Sequence, residues 1–201
     1  MKLEHKAHTN VDVTAYQQKK NGNERCGDAY ITIETDQYFL CALADGLGSG
    51  AEAHRSAQLA MNVITEAHDQ SVSQLLDQCN QVLFQERGVV LTMLKVDFAT
   101  QEIMYGNIGN VECILMLDND QIVRPVPAPG YLSSRKYKYR LERFQYGENV
   151  RFLLYSDGTV FSPECKNMMS AAKSPECVVN RLAEAAQSAN DDVTIVGGDV
   201  S

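Results

Sequence analysis

Apolar and polar residues alternate over 11–16 and 30–34, and the run 38–44 is almost wholly apolar. A period of two marks a strand with one wet face, whereas a short unbroken apolar run marks a strand covered on both faces. After the glycine-rich stretch 46–50 the period changes. Ala57, Ala60, Met61, Ile64 and Ala67 recur at helical spacing, and Val72, Leu75, Leu76, Cys79, Val82 and Leu83 form a second apolar stripe. Ser71 and Gln74 fit a capping box at the start of that second helix, and Gly88 marks its exit. Strand patterns then return over 89–96, 102–107, 111–117, 122–125, 137–145 and 150–155, with Asp118-Asn119-Asp120 as a hairpin turn. Pro125, Pro127, Pro129 and Gly130 predict an irregular connection, since proline is excluded from central strands. Ser162-Pro163-Glu164 and Ser174-Pro175-Glu176 each predict a helix start, with serine as cap, proline in the first turn and glutamate matched to the dipole. A last strand covers 193–196.

Strands and helices are segregated along the chain and do not alternate. That order predicts an α+β fold, a four-layer αββα sandwich of two stacked, mainly antiparallel sheets flanked by helices. No linker, charge run or low-complexity segment divides the 201 residues, so a single domain over 1–201 is expected. Hydrophobic residues at 44% and charged residues at 22% are ordinary globular usage. The net charge of -8 argues against nucleic acid or an anionic membrane as partner. Residues 1–6 lack the apolar core of a signal peptide, and no stretch approaches the roughly 20 apolar residues of a membrane span. Six dispersed cysteines without a C-x-x-C pair predict reduced core thiols in a cytoplasmic protein and argue against zinc.

Charge changes the picture most where it meets the strands. Gly27-Asp28, Asp45-Gly46-Leu47-Gly48-Ser49-Gly50, Ser156-Asp157-Gly158 and Asp191-Asp192-Val193-Thr194 each set an aspartate against an apolar run. A carboxylate there is costly to desolvate unless something pairs it. Each piece alone is usually a turn or a cap. Four together predict converging carboxylates around hard divalent cations, which prefer oxygen and take only one or two carboxylates each. Two such ions activate a bridging hydroxide for in-line displacement at phosphorus, so no side-chain nucleophile is needed. Asp45 is the natural bridging ligand, because Gly46 and Gly48 let the backbone turn tightly and bring a carbonyl close. Asp157 and Asp191 would close the site, and Asp28 would act through water.

These motifs, in this order over roughly residues 10–200, resemble the metal-dependent protein phosphatases (PPM, type 2C), in particular their compact bacterial branch with Asp-Gly-x-Gly-x-Gly. The resemblance implies two Mn2+ or Mg2+ ions and a metal-bridging water held by Asp45. It implies metal ligation by Asp45, the Gly46 carbonyl, Asp157 and Asp191, with Asp28 bound through water and Asp192 ranked below Asp191. It further implies phosphoserine/phosphothreonine substrates among phosphorylated stressosome proteins of the RsbS and RsbR type, and a negative feedback role in the stress response. A monomer is expected. Two alternatives stay open: a phosphatase acting on a phosphorylated anti-anti-sigma factor, and a binding module without catalysis.

Two positions depart from the family pattern. Leu47 stands where many members carry a histidine proposed as general acid, and Asn23 stands where eukaryotic members carry a phosphate-binding arginine. Arg25 is the nearby substitute candidate, although a surface arginine is the plainer reading. His54 is the histidine nearest the glycine loop. Ser156 and Thr194 are expected to orient the carboxylates by hydrogen bonding. The basic stretch 135–140 reads as a solvated strand face.

Overall fold

The computed structural model describes residues 2–159 and 169–201. Eleven strands are described: β1 Lys2–Ala7, β2 Val11–Gln18, β3 Asp28–Glu34, β4 Tyr38–Gly46, β5 Val89–Asp97, β6 Glu102–Ile108, β7 Glu112–Leu117, β8 Gln121–Val123, β9 Arg140–Gln145, β10 Val150–Tyr155 and β11 Val193–Val200. Three helices are delimited among the described residues, α1 Ala51–Glu66, α2 Val72–Val82 and α3 Pro175–Ala186. One sheet has the order β1-β2-β11-β10-β7-β8 and the other β3-β4-β5-β6-β9, and every pairing between neighbours is antiparallel.

Three apolar clusters separate four layers. Between the sheets, Phe39, Leu43, Leu94 and Tyr105 meet Val13, Phe152, Leu154 and Val196. On the outer face of the five-stranded sheet, Leu40, Ala42 and Leu91 pack against Ala60, Ile64, Leu75 and Leu76 of α1 and α2. On the outer face of the six-stranded sheet, Tyr16, Leu153 and Ile195 pack against Val178, Val179 and Leu182 of α3. The continuous apolar run of β4 follows from this arrangement, since its odd residues face one cluster and its even residues the other.

The capping box is present: Gln74 donates its backbone N–H to the Ser71 hydroxyl, and its side chain accepts from the Ser71 N–H. Asp118–Asp120 forms one 3-10 turn between the antiparallel pair β7 and β8. The Asp118 carboxylate accepts the N–H groups of Glu148 and Asn149, which makes it a turn clamp.

Several elements differ from expectation. Strand β1 was not predicted, because its six residues are all exposed and show no buried face. Its only strand partner is β2 and it forms the sheet edge, while Lys6 and Glu4 reach across to the Thr32 carbonyl and the Tyr30 hydroxyl of β3. The strand expected over 137–145 begins only at Arg140. Before it the chain lies against α2, where the Tyr137 hydroxyl donates to Asp77 at 2.5 Å and Asn80 donates to the Arg135 carbonyl at 3.0 Å. The stretch 135–140 is solvated as expected, with five of its six residues exposed, but it is not a strand before Arg140. Ser174 precedes α3 with Pro175 in the first turn, but its side chain makes no cap hydrogen bond. The helix start expected at Ser162 lies outside the described residues. Cys26, Cys41, Cys79 and Cys113 are buried free thiols, while Cys177 is free and exposed. No helix among the described residues is long and apolar enough to cross a membrane.

Candidate metal centre

Strands β3 and β4 put two carboxylates side by side. Their register sets Asp28 directly opposite Asp45, at the end of the ladder where β4 runs into the glycine loop. On the other sheet, Ser156 and Asp157 follow β10, and Asp191 and Asp192 lead into β11, its direct neighbour. The two sheet ends meet at a cleft of about 170 Å³ lined by Asp28, Asp45, Gly46, Leu47, Gly48, Val90, Asn110, Asp157, Asp191 and Asp192. Every aspartate singled out in the sequence is thus brought to one place. No serine, threonine, cysteine or histidine is among the described residues that line it.

Their environments differ. Asp28 is only 2% exposed, and neither of its carboxylate oxygens has a well-formed hydrogen bond among the described residues. Burial pushes its pKa up to about 7, opposed in part by the nearby Thr194 and Ser156 hydroxyls and reinforced by the charges of Asp192 and Asp157. Asp45 is raised to about 8, first by burial and then by Asp28, Asp157 and Asp191. Asp192 is buried and accepts the Lys20 backbone N–H at 2.8 Å, so it ties the β2 exit to the β11 entry. The Asp191 side chain is 51% exposed and has the Lys20 ammonium at 3.5 Å. Asp191 therefore has the more exposed carboxylate, and its Oδ1 also accepts the Asp192 N–H at 3.0 Å.

Gly46 has a local reason to be glycine. A Cβ placed there would stand 2.0 Å from the Ala53 carbonyl oxygen, because the first turn of α1 presses against the end of β4. Ser156 and Thr194 do more than face a carboxylate. The Thr194 N–H donates to the Ser156 hydroxyl at 2.9 Å, and the Ser156 N–H donates to the Thr194 carbonyl at 3.0 Å. They lock β10 to β11 beneath the aspartates while both hydroxyls stay near Asp28. His54 points elsewhere, with Nδ1 2.9 Å from the Cys26 carbonyl, and it lines a separate cavity that reaches the other side of Asp28. Arg25 is exposed and does not line the cleft.

Two residues at the site escaped the sequence pattern. Asn110 donates from Nδ2 to Asp157 Oδ2 at 2.9 Å, and Lys20 touches Asp191 and Asp192. The Gly109-Asn110 dipeptide between two predicted strands was the available signal for the first; nothing local marked the second.

Like charges crowded in a half-buried cleft, two of them shifted toward neutrality and one with orphaned oxygens, suit a site completed by cations. Among the described residues, no three His, Cys, Asp or Glu side chains are grouped to enclose an ion. Magnesium and manganese usually take one or two carboxylates and keep several waters, so aspartates spread around an open cleft suit them. The residues present therefore fit hydrated divalent ions better than a closed protein cage.

Residues 35–200 match the family described as Stage II sporulation protein E (SpoIIE). The chain is 30% identical to phosphoserine phosphatase RsbX of Bacillus subtilis (strain 168) over 191 residues, 95% of this chain and 96% of that one. The crystal structure of RsbX in complex with magnesium superposes with a TM-score of 0.93 at 28% identity, covering 100% of both chains. The PP2C phosphatase domain of SpoIIE from Bacillus subtilis shares the fold, with a TM-score of 0.81 at 18% identity over 100% of this chain and 64% of that chain. A chain from the bacterial stressosome, a modular system adapted to control secondary messenger signalling, also shares the fold, with a TM-score of 0.85 at 24% identity over 94% and 98% of the two chains. With aspartates from both sheets gathered at one cleft and a match that runs nearly end to end, the chain belongs to the SpoIIE family of type 2C protein phosphatases.

Proposed function

We propose that this chain is a Mn2+- or Mg2+-dependent phosphoserine/phosphothreonine protein phosphatase, formed as one catalytic domain over residues 1–201. Its substrates are phosphorylated stressosome proteins of the RsbS and RsbR type, and their dephosphorylation limits the stress response by negative feedback. It works in the cytoplasm as a monomer. The observation that carries this reading is Asp28, a buried carboxylate with two unpartnered oxygens, set opposite Asp45 in a cleft whose other wall carries Asp157 and Asp191. RsbX is a phosphoserine phosphatase whose structure holds magnesium, and the likeness to it supports both the activity and the ion.

Two divalent ions supply the attacking water and the positive charge that stabilises an in-line displacement. Asp45 and the Gly46 carbonyl would hold them from the five-stranded sheet, and Asp157 and Asp191 from the six-stranded sheet. Asp28, buried with both carboxylate oxygens unpartnered, would orient water at the site. Leu47 lines the cleft and offers no proton, so protonation of the leaving group would come from water in the site or from another side chain.

Phosphate release from phosphorylated RsbS-type, RsbR-type and anti-anti-sigma-factor partners, with and without Mn2+, tests the proposal. Manganese-dependent release from the stressosome proteins is the expected result. Preference for the anti-anti-sigma factor would move the substrate to the other branch of the family. No release from any of them would leave a binding module.

A further inference from the structure

We infer that Asn110 is the positioning residue for Asp157: its amide, mounted on a clamped turn between the two sheets, holds that carboxylate at the ion-binding cleft. The proposal rests on Asp157 being an ion ligand, as argued above.

The pairing of β7 with β10 sets Glu112 opposite Tyr155 on its last rung. Beyond that rung the backbone ladder stops, yet Asn110 and Asp157, each two residues further on, still meet through the 2.9 Å hydrogen bond from Nδ2 to Oδ2. A side-chain contact thus extends the ladder by one step past its backbone bonds. Ser156 and Asp157 have left the strand, so no backbone pairing with β7 fixes the Asp157 side chain.

The turn that carries Asn110 is built to stay put. Asn107, fully buried, donates from Nδ2 to Thr92 Oγ1 at 2.7 Å and to the carbonyls of Gly109 at 3.2 Å and Val111 at 3.3 Å. Its Oδ1 accepts the Ala128 N–H at 2.7 Å. The Thr92 hydroxyl reaches the Val111 carbonyl at 2.7 Å, and the Gly109 N–H reaches the Ala128 carbonyl at 2.7 Å. Gly109 itself sits at φ +90, with Val90 side-chain atoms 2.1 Å from where a Cβ would stand. The two residues flanking Asn110 are therefore pinned from both sides, while Asn110 is exposed and lines the cleft. A primary amide suits this role, because it donates to a carboxylate without adding charge and contributes no further acid to the crowded site. Partners that hold a metal ligand in place typically contribute 10–100-fold to metal affinity.

The test is calorimetric titration of Mn2+ into wild type, Asn110→Ala, Asn110→Leu and Asp157→Asn, with melting temperatures in EDTA. Asn110→Ala and Asn110→Leu are expected to bind Mn2+ about tenfold more weakly, to melt in EDTA as wild type does, and to regain wild-type turnover at saturating Mn2+. A purely structural role would lower the EDTA melting temperature and leave Mn2+ affinity alone, and that pattern overturns the proposal. So does Mn2+ affinity within about twofold of wild type in both Asn110 variants when Asp157→Asn is weakened. If Asp157→Asn itself binds Mn2+ like wild type, it is the assignment of Asp157 as a ligand that fails.

Discussion

Asp28 and Asp45 occupy one rung of the β3–β4 ladder, so their carboxylates leave adjacent strands side by side at the cleft. Burial raises the cost of ionising both, and Asp28 adds to it for Asp45. A cation between or beside them removes that cost. Asp45→Asn is expected to abolish Mn2+-dependent phosphate release, by on the order of 100-fold or more, while melting at or above the wild-type temperature in EDTA. Wild-type activity in this variant would remove Asp45 from the mechanism.

The same pair makes the metal-free protein sensitive to pH. With Asp28 and Asp45 pushed up to about 7 and about 8, their folded pKa values stand above the unfolded ones. Their contribution to stability is whole below about pH 4 and drains away as pH rises through those folded values. Thermal melting in EDTA is expected to fall between about pH 5 and pH 8, and saturating Mn2+ is expected to cancel the fall. An EDTA melting temperature that climbs across this window would contradict the assignment.

Gly46→Ala tests how tightly α1 seats the bridging residue. The added methyl would collide with the Ala53 carbonyl at 2.0 Å, which is backbone and cannot turn aside. The expected cost is about 1–3 kcal/mol, with Mn2+ affinity lost alongside because Asp45 shifts with its neighbour. Unchanged melting together with unchanged affinity would mean that the loop adjusts freely.

Asn107→Ala should be destabilising out of proportion to its size. It strips a buried hub and leaves the Ala128 N–H without its acceptor. A cost of about 1–3 kcal/mol corresponds to roughly 2–4 °C per kcal/mol for a chain of this length. Differential scanning calorimetry measures it, and a shift under about 1 °C would show that water replaces the amide.

The layered fold was legible because both sheets are covered on two faces, so that β4, β5 and β10 read as apolar runs and α1 and α2 as amphipathic stripes. Strand β1 was not, since a strand exposed on every residue carries no pattern. The aspartates were legible as costly charges beside apolar strands, but the order of their burial was not. Which of Asp191 and Asp192 turns inward depends on Lys20, 172 residues from Asp192 along the chain. Asn110 was hidden for a similar reason, because its partner Asp157 stands 47 residues away. The hydroxyls of Ser156 and Thr194 were legible as neighbours of a carboxylate, whereas the strand lock they form needs the β10–β11 pairing and leaves no local mark.

Strand β11, residues 193–200, lies between β2 and β10 in the middle of its sheet, and Asp191 stands just ahead of it. On the ribosome, β2 and β10 have no common partner until that segment emerges. A chain halted before it offers an open sheet and a cleft lacking one of its walls. Assembly of the cleft therefore waits on the pairing of β11 with both β2 and β10.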